Sequence, residues 1–217
     1  MEDQLGSDLR VFQEYREMRL AIAGAVMSWG TLENALAGLL AVILDTPNYQ
    51  MPYAVYYAPS NTETRLSIID NTITHIERRS ELTPRILACW DSLRTKIDRS
   101  KNTRNKIVHG NVVTIHFNEQ NRCRLVSPVF DFTRRAQREL AAAFQKKQFL
   151  GMSPHDVSNA AKIFDGRTKQ VQALSDLIVA DRKAPFGPSS WQHKLLALES
   201  DLNLTAAHTS GQTPKAP

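Results

Sequence analysis

The 217-residue chain holds only two cysteines, Cys89 and Cys123, and none of its Cys or His residues stand at a metal-ligand spacing such as C-x2-C or H-x3-H. A disulfide framework is therefore not expected, the thiols read as reduced, and His75, Cys89, His116, Cys123 and His155 give no zinc signature. There is also no P-loop, no GxGxxG and no GxSxG, so neither a Gly-rich phosphate cradle nor a nucleophile elbow is expected. No cofactor is implied. Glycine and proline, at 9 and 10 residues, are too few for a collagen-like chain. The N-terminus, MEDQLGSDLR, is polar and acidic, which predicts neither a signal peptide nor a transit peptide and places the protein in the cytoplasm.

Long uninterrupted apolar runs are scarce as well. Leu20 to Leu44 carries one charge, Glu33, over a length that matches a bilayer, but Ser28, Thr31, Glu33 and Asn34 break its middle. A Glu at mid-bilayer costs about 2.5–3.5 kcal/mol on insertion scales, so the segment reads as a buried amphipathic helix, without stable membrane association. What is abundant is helical periodicity. Ile22, Val26, Trp29, Leu32, Leu36, Leu39, Leu40 and Ile43 recur at three- and four-residue steps and predict a first helix over about 8–44.

The stretch 47–59, with three prolines and four tyrosines, predicts an irregular loop whose tyrosines cover the end of a helical bundle. A capping box at Ser60-Asn61-Thr62-Glu63 opens a second helix through Leu66, Ile69, Ile73 and Ile76 to about Arg79. Thr83 and Pro84 start a third, which runs through Ile86, Leu87, Trp90, Leu93, Ile97, Ile107 and Val108 to a stop at Gly110. Val112–Phe117 and Cys123–Val126, joined by a polar turn at 118–121, predict an inserted β-hairpin at about 112–126. Further helices are expected over 133–149 and, from Ser153-Pro154 with Asp156 in the first turn, to about Arg182. The expectation is thus an all-α bundle of four to five helices over 1–184. A mostly disordered tail follows at 185–217, with a short docking helix around Trp191. Trp29 and Trp90 read as core.

Chemistry concentrates in Arg104 to Gly110, RNKIVHG, at the end of the third helix. Asn105 and His109 share a helix face, whereas Arg104 and His109 stand about 140° apart. The two converge on one phosphate only if the arginine wraps round or the last turn loosens. A guanidinium grips a phosphodiester through two oxygens and opposes the extra charge of a pentavalent transition state. An imidazole, whose ordinary pKa lies near neutrality, takes a proton from a ribose 2′-OH or returns one to a leaving 5′-oxygen. Together these groups suffice for metal-free RNA cleavage to a 2′,3′-cyclic phosphate, a route closed to DNA. An Arg-x4-His pair alone is expected about 0.5 times by chance in such a chain, so it is also compatible with a solvated helix end that only caps carbonyls. Between residues 94 and 109, however, Arg94, Lys96, Arg99, Lys101, Arg104 and Lys106 face only Asp98, an excess equal to the whole chain's net +5. Such a stripe suits a phosphate backbone, with Lys101 and Lys106 drawing RNA in. Glu33 is either a buried partner for a basic residue such as Arg104 or a polar position at the bundle edge.

The long first helix with Trp29-Gly-Thr-Leu-Glu33, the basic helix and RNKIVHG at its end resemble the HEPN superfamily (higher eukaryotes and prokaryotes nucleotide-binding), over roughly residues 8–182. Its signature is Arg, four to six residues, then His, often with Asn after the Arg. The resemblance implies a helical bundle that homodimerises and brings two motifs into one cleft. It implies a metal-independent endoribonuclease, a toxin or phage-defence effector, with Arg104 and His109 in the catalytic positions and Asn105 as the polar residue. An antitoxin or regulatory protein would be a further partner. The alternative within the same resemblance is a non-catalytic dimer that binds a nucleotide or a protein. The hairpin and the C-terminal tail depart from the minimal bundle.

Overall fold

The computed structural model describes residues 2–74, 83–117, 120–127, 149–183 and 192–204, with positions 138 and 142 between them. Among these residues lie six helices and one two-stranded antiparallel sheet: α1 (Glu2–Leu44), α2 (Gln50–Tyr57), α3 (Thr62–Ile73), α4 (Thr83–His109), β1 (Asn111–Phe117), β2 (Gln120–Val126), α5 (Pro154–Lys183) and α6 (Gln192–Asp201). The mainly helical class with a small hairpin is as expected. The expected helix over 133–149, Ile76 to Arg79 and most of the tail lie outside the described residues. The chain forms two compact units, one of residues 1–31 and 99–165, the other of residues 32–98 and 166–217. α1, α4 and α5 contribute a stretch to each.

In the first unit α1 buries Met18, Ala21, Ala25 and Trp29. The stripe therefore differs from the Ile22-Val26 series expected, and Val26 is 46% exposed. The spacing of three and four residues is kept, but the small Ala21 and Ala25 occupy the packed face, where they let neighbouring side chains come close. Ile107 of α4, Cys123 and Leu125 of β2, and Val157, Ala160 and Phe164 of α5 complete this core. The hairpin pairs Asn111 with Val126 through Phe117 with Gln120. Gln120 and Asn121, expected in the turn, are strand residues, because the cross-strand pairing with Phe117 and His116 extends to them. The other edge of β2 is covered too. Leu125 and Met152 exchange two backbone bonds of 2.9 Å, and Glu14 of α1 accepts from Cys123 N at 2.9 Å and Arg122 Nη1 at 2.5 Å. Burial and the Glu14 charge push the Cys123 thiol up.

The start of α5 is set by a reciprocal cap. Asp156 Oδ2 accepts from Ser153 N at 2.8 Å and Ser153 Oγ at 2.7 Å, while Asp156 N donates back to Ser153 Oγ at 3.2 Å. The Ser153 backbone N–H holds the Asp156 carboxyl below the usual range. A carboxyl lowered in the folded state stabilises fully above its unfolded pKa and loses that contribution as pH falls through the folded value. Ser153→Ala is expected to lower stability by about 1 kcal/mol near neutral pH. Its cost relative to wild type, read from urea midpoints, is expected to shrink below about pH 4 as Asp156 protonates.

In the second unit, Leu32, Leu36, Leu39 and Leu40 of α1 are buried, as are Leu66, Ile69 and Ile73 of α3, Trp90, Leu93 and Ile97 of α4, and Val171 and Leu174 of α5. The segment expected to be an irregular loop contains α2. Its Pro52 sits in the first turn, where the backbone N–H has no intrahelical partner to lose, so a proline there does not break the helix. Tyr56 is fully buried, and Tyr57 donates to Asn34 Oδ1 at 2.7 Å. Asn61, rather than Ser60, caps α3, its side chain accepting from Thr64 N at 2.8 Å. Arg182 donates to the Val42 and Ile43 carbonyls, capping the last turn of α1.

The anticipated helix near Trp191 is α6, which buries Leu195 and Leu198. Arg85 binds the buried Glu199 through two bonds of 2.8 and 2.6 Å, so α6 belongs to the core of this unit. By length and composition alone, Leu9–Leu44 of α1 meets the requirement for crossing a bilayer, and 44% of its most apolar stretch is buried within the protein.

Candidate functional site

Lys101, Arg104, Asn105, Lys106 and His109 all lie on the part of α4 that belongs to the first unit. α4 ends at His109 because of Gly110. A Cβ at Gly110 would stand 2.6 Å from the Lys106 carbonyl oxygen and 2.8 Å from Leu125 Cδ1. Only the absence of a side chain lets β2 approach the helix end this closely, and β1 starts at the next residue. The hairpin thereby fixes the position of the last helical turn.

His109 is exposed in that last turn, as are Asn105 and Lys106, and Lys101 is half-buried. Arg104 is half-buried and held in place by two neutral groups. Its Nη1 donates to Asn105 Oδ1 at 3.1 Å, and its guanidinium carbon stands 6.0 Å from the centre of the Trp29 ring. Trp29 is 2% exposed and meets Phe164 edge-on, with 5.2 Å between ring centres and 78° between planes.

The arginines with carboxylate partners make the contrast. Arg65 pairs with Glu33, Arg85 with Glu199, Arg94 with Asp70 and Glu63, Arg122 with Glu14, and Arg182 with Asp45. Among the described residues no carboxylate pairs with Arg104. Among the described residues its contacts are thus the Asn105 amide and the Trp29 ring.

Three sequence expectations change. Glu33 does not reach Arg104; it accepts from Arg65 Nη1 of α3 at 2.9 Å, a partner the sequence did not single out. The basic stripe is shorter than its composition suggests. Arg94 is occupied by Asp70 and Glu63, the bond to Asp70 holding it more firmly charged, and Lys96 donates to the Asp201 carbonyl at 3.3 Å. Arg99 and Lys106 remain exposed beside the motif. Finally, α4 stays helical through His109, so the loosened last turn that would swing Arg104 and His109 together is not present. Asn105 is brought to Arg104, and His109 stands one turn beyond Asn105.

The role of Trp29 as the surface under Arg104 was not legible, since nothing in a helical pattern tells which of two core tryptophans meets an arginine 75 positions later. Another basic residue, Arg124, lies 4.8 Å from the Phe149 ring and donates to the Cys123 carbonyl at 2.8 Å, and burial lowers its affinity for the proton. In the second unit an open cleft of about 460 Å³ is lined by Lys169, Lys194, Asp176 and Asp201. Its two cations and two anions balance, which gives it no bias toward phosphate. Among the described residues no three His, Cys, Asp or Glu side chains gather where they would hold a metal ion. Comparison with known proteins finds no matching family model, no matching curated protein and no matching solved structure.

Proposed function

We propose that the protein is a metal-independent endoribonuclease of the HEPN type. One observation carries the reading: Arg104 is held by Asn105 and Trp29 with no carboxylate pairing with it among the described residues, and the exposed His109 follows five residues on in the same helix. In this reading the Arg104 guanidinium binds the non-bridging oxygens of the scissile phosphate and opposes the charge that grows on them. His109 moves the proton, taking it from the 2′-OH or giving it to the departing 5′-oxygen. Asn105 orients Arg104, and Lys101 and Lys106 draw in the RNA backbone.

Because the intact last turn keeps Arg104 and His109 apart about the helix axis, the reading requires a homodimer in which two such helix ends share one cleft. The same separation favours the second reading, a non-catalytic dimer in which Arg104 holds the phosphate of a nucleotide or of a partner. A cytoplasmic toxin or phage-defence effector, restrained by an antitoxin or regulatory protein, is the biological setting that fits an RNase needing no cofactor.

The test is incubation of the purified protein with total RNA in excess EDTA. Fragmentation that persists in the chelator supports the enzyme. RNA left intact at high protein concentration, together with retention of a nucleotide or oligonucleotide, supports the binding protein instead.

A further inference from the structure

We infer that Trp29 is a positioning residue for Arg104: its ring face fixes where the guanidinium presents its donors, so that phosphate recognition depends on a side chain buried in α1. The inference rests on the reading of Arg104 as the phosphate-binding group. Trp29 sits among packed residues at 2% exposure, and Phe164 of α5 braces it edge-on at 5.2 Å. Arg104 lies over that ring at 6.0 Å, and Asn105 holds it from the α4 side at 3.1 Å.

An arginine on the outside of a helix samples many rotamers. Here a buried ring braced by Phe164 and an amide one residue away restrict it. The attraction of a cation to an indole face is largest for tryptophan among the aromatic residues and strengthens where water is excluded. An arginine stacked on an aromatic face by its plane keeps the N–H groups on its edge for other acceptors.

The indole N–H of Trp29 is the second observation. It is buried without a hydrogen-bond partner among the described residues. Since a buried tryptophan ordinarily finds such a partner, the ring is selected here for its face and bulk and not for its N–H. That has a practical consequence: replacing Trp29 by phenylalanine strands no acceptor among the described residues, so the change reports on the ring.

The experiment is a double-mutant cycle on Trp29→Phe and Arg104→Ala, read as affinity for a short oligonucleotide with 2′-deoxy sugars, which presents phosphates and cannot be cut. Trp29→Phe is expected to weaken binding about three- to tenfold in the wild-type background and to change it less than twofold when Arg104 is already alanine. Additive losses, or no loss from Trp29→Phe in a protein that melts normally, would overturn the inference. A Trp29→Leu variant that still folds is expected to lose more than Trp29→Phe. The affinity of Arg104→Ala is a separate control: if it equals wild type, the phosphate role of Arg104 fails first. Binding that follows the cycle while RNA stays uncut leaves the positioning role standing and removes the nuclease.

Discussion

His109→Ala is expected to slow RNA cleavage by about 10²- to 10⁴-fold, the usual worth of one positioned general acid or base. The melting temperature is expected to stay close to that of wild type, because the side chain is exposed and no described residue hydrogen-bonds to it. The pairing of a large catalytic loss with unchanged stability distinguishes chemistry from folding. The substitution also leaves Arg104 untouched on Trp29 and Asn105, so affinity for an uncleavable oligonucleotide is expected to persist. Loss of binding alongside cleavage would instead assign His109 to phosphate recognition. A growth arrest on expression that disappears with His109→Ala would carry the same assignment into the cell.

The largest effect on stability is expected at Trp90. It is 1% exposed in the core of the second unit, and its Nε1 donates to Asp70 Oδ1 at 2.8 Å. The other Asp70 oxygen accepts from Arg94 Nε at 2.6 Å, so one carboxylate ties α3 to two successive turns of α4. Trp90→Ala removes a large buried ring and one of the partners of that carboxylate. Together these are expected to cost about 3–5 kcal/mol, which is a large fraction of the stability of most domains. Trp90→Phe keeps most of the volume and loses the N–H, so it should cost less, and urea denaturation of the two variants separates the packing contribution from the hydrogen bond. A Trp90→Ala protein that unfolds at the wild-type midpoint would contradict this core.

Much of the helical frame was legible because it is written in spacing. The three- and four-residue steps of α1, Thr83-Pro84 at the start of α4, and Ser153 with Asp156 around the start of α5 are local signals, and local geometry honours them. The α2 helix was hidden because three prolines in 13 residues read as loop, although only Pro52 lies inside the helix and there it occupies the harmless first turn. The choice of Ala21 and Ala25 over Ile22 and Val26 as the buried positions depends on how closely neighbours pack, which period alone does not specify.

The site shows the same division. The residues Arg104, Asn105 and His109 were visible as a motif, and so was the angular gap between Arg104 and His109. The pairing of Arg94 with Asp70 and Glu63, of Glu33 with Arg65, and of Arg104 with Trp29 was not, because each joins segments far apart in the chain. A formal excess of charge on a helix therefore overstates the charge available to a ligand until its internal partners are known.

The central claim is that this chain cuts RNA through the ribose 2′-OH with its own side chains. Its most direct test is the chemistry of the cut ends: an end-labelled RNA incubated with wild type in EDTA, beside the same strand carrying a single 2′-deoxy nucleotide at the cleavage position. The account predicts a 2′,3′-cyclic phosphate on the released fragment, identified by mass, and no cut at the 2′-deoxy position. Cleavage at that 2′-deoxy position, or fragments that form only when divalent metal is restored, would contradict it.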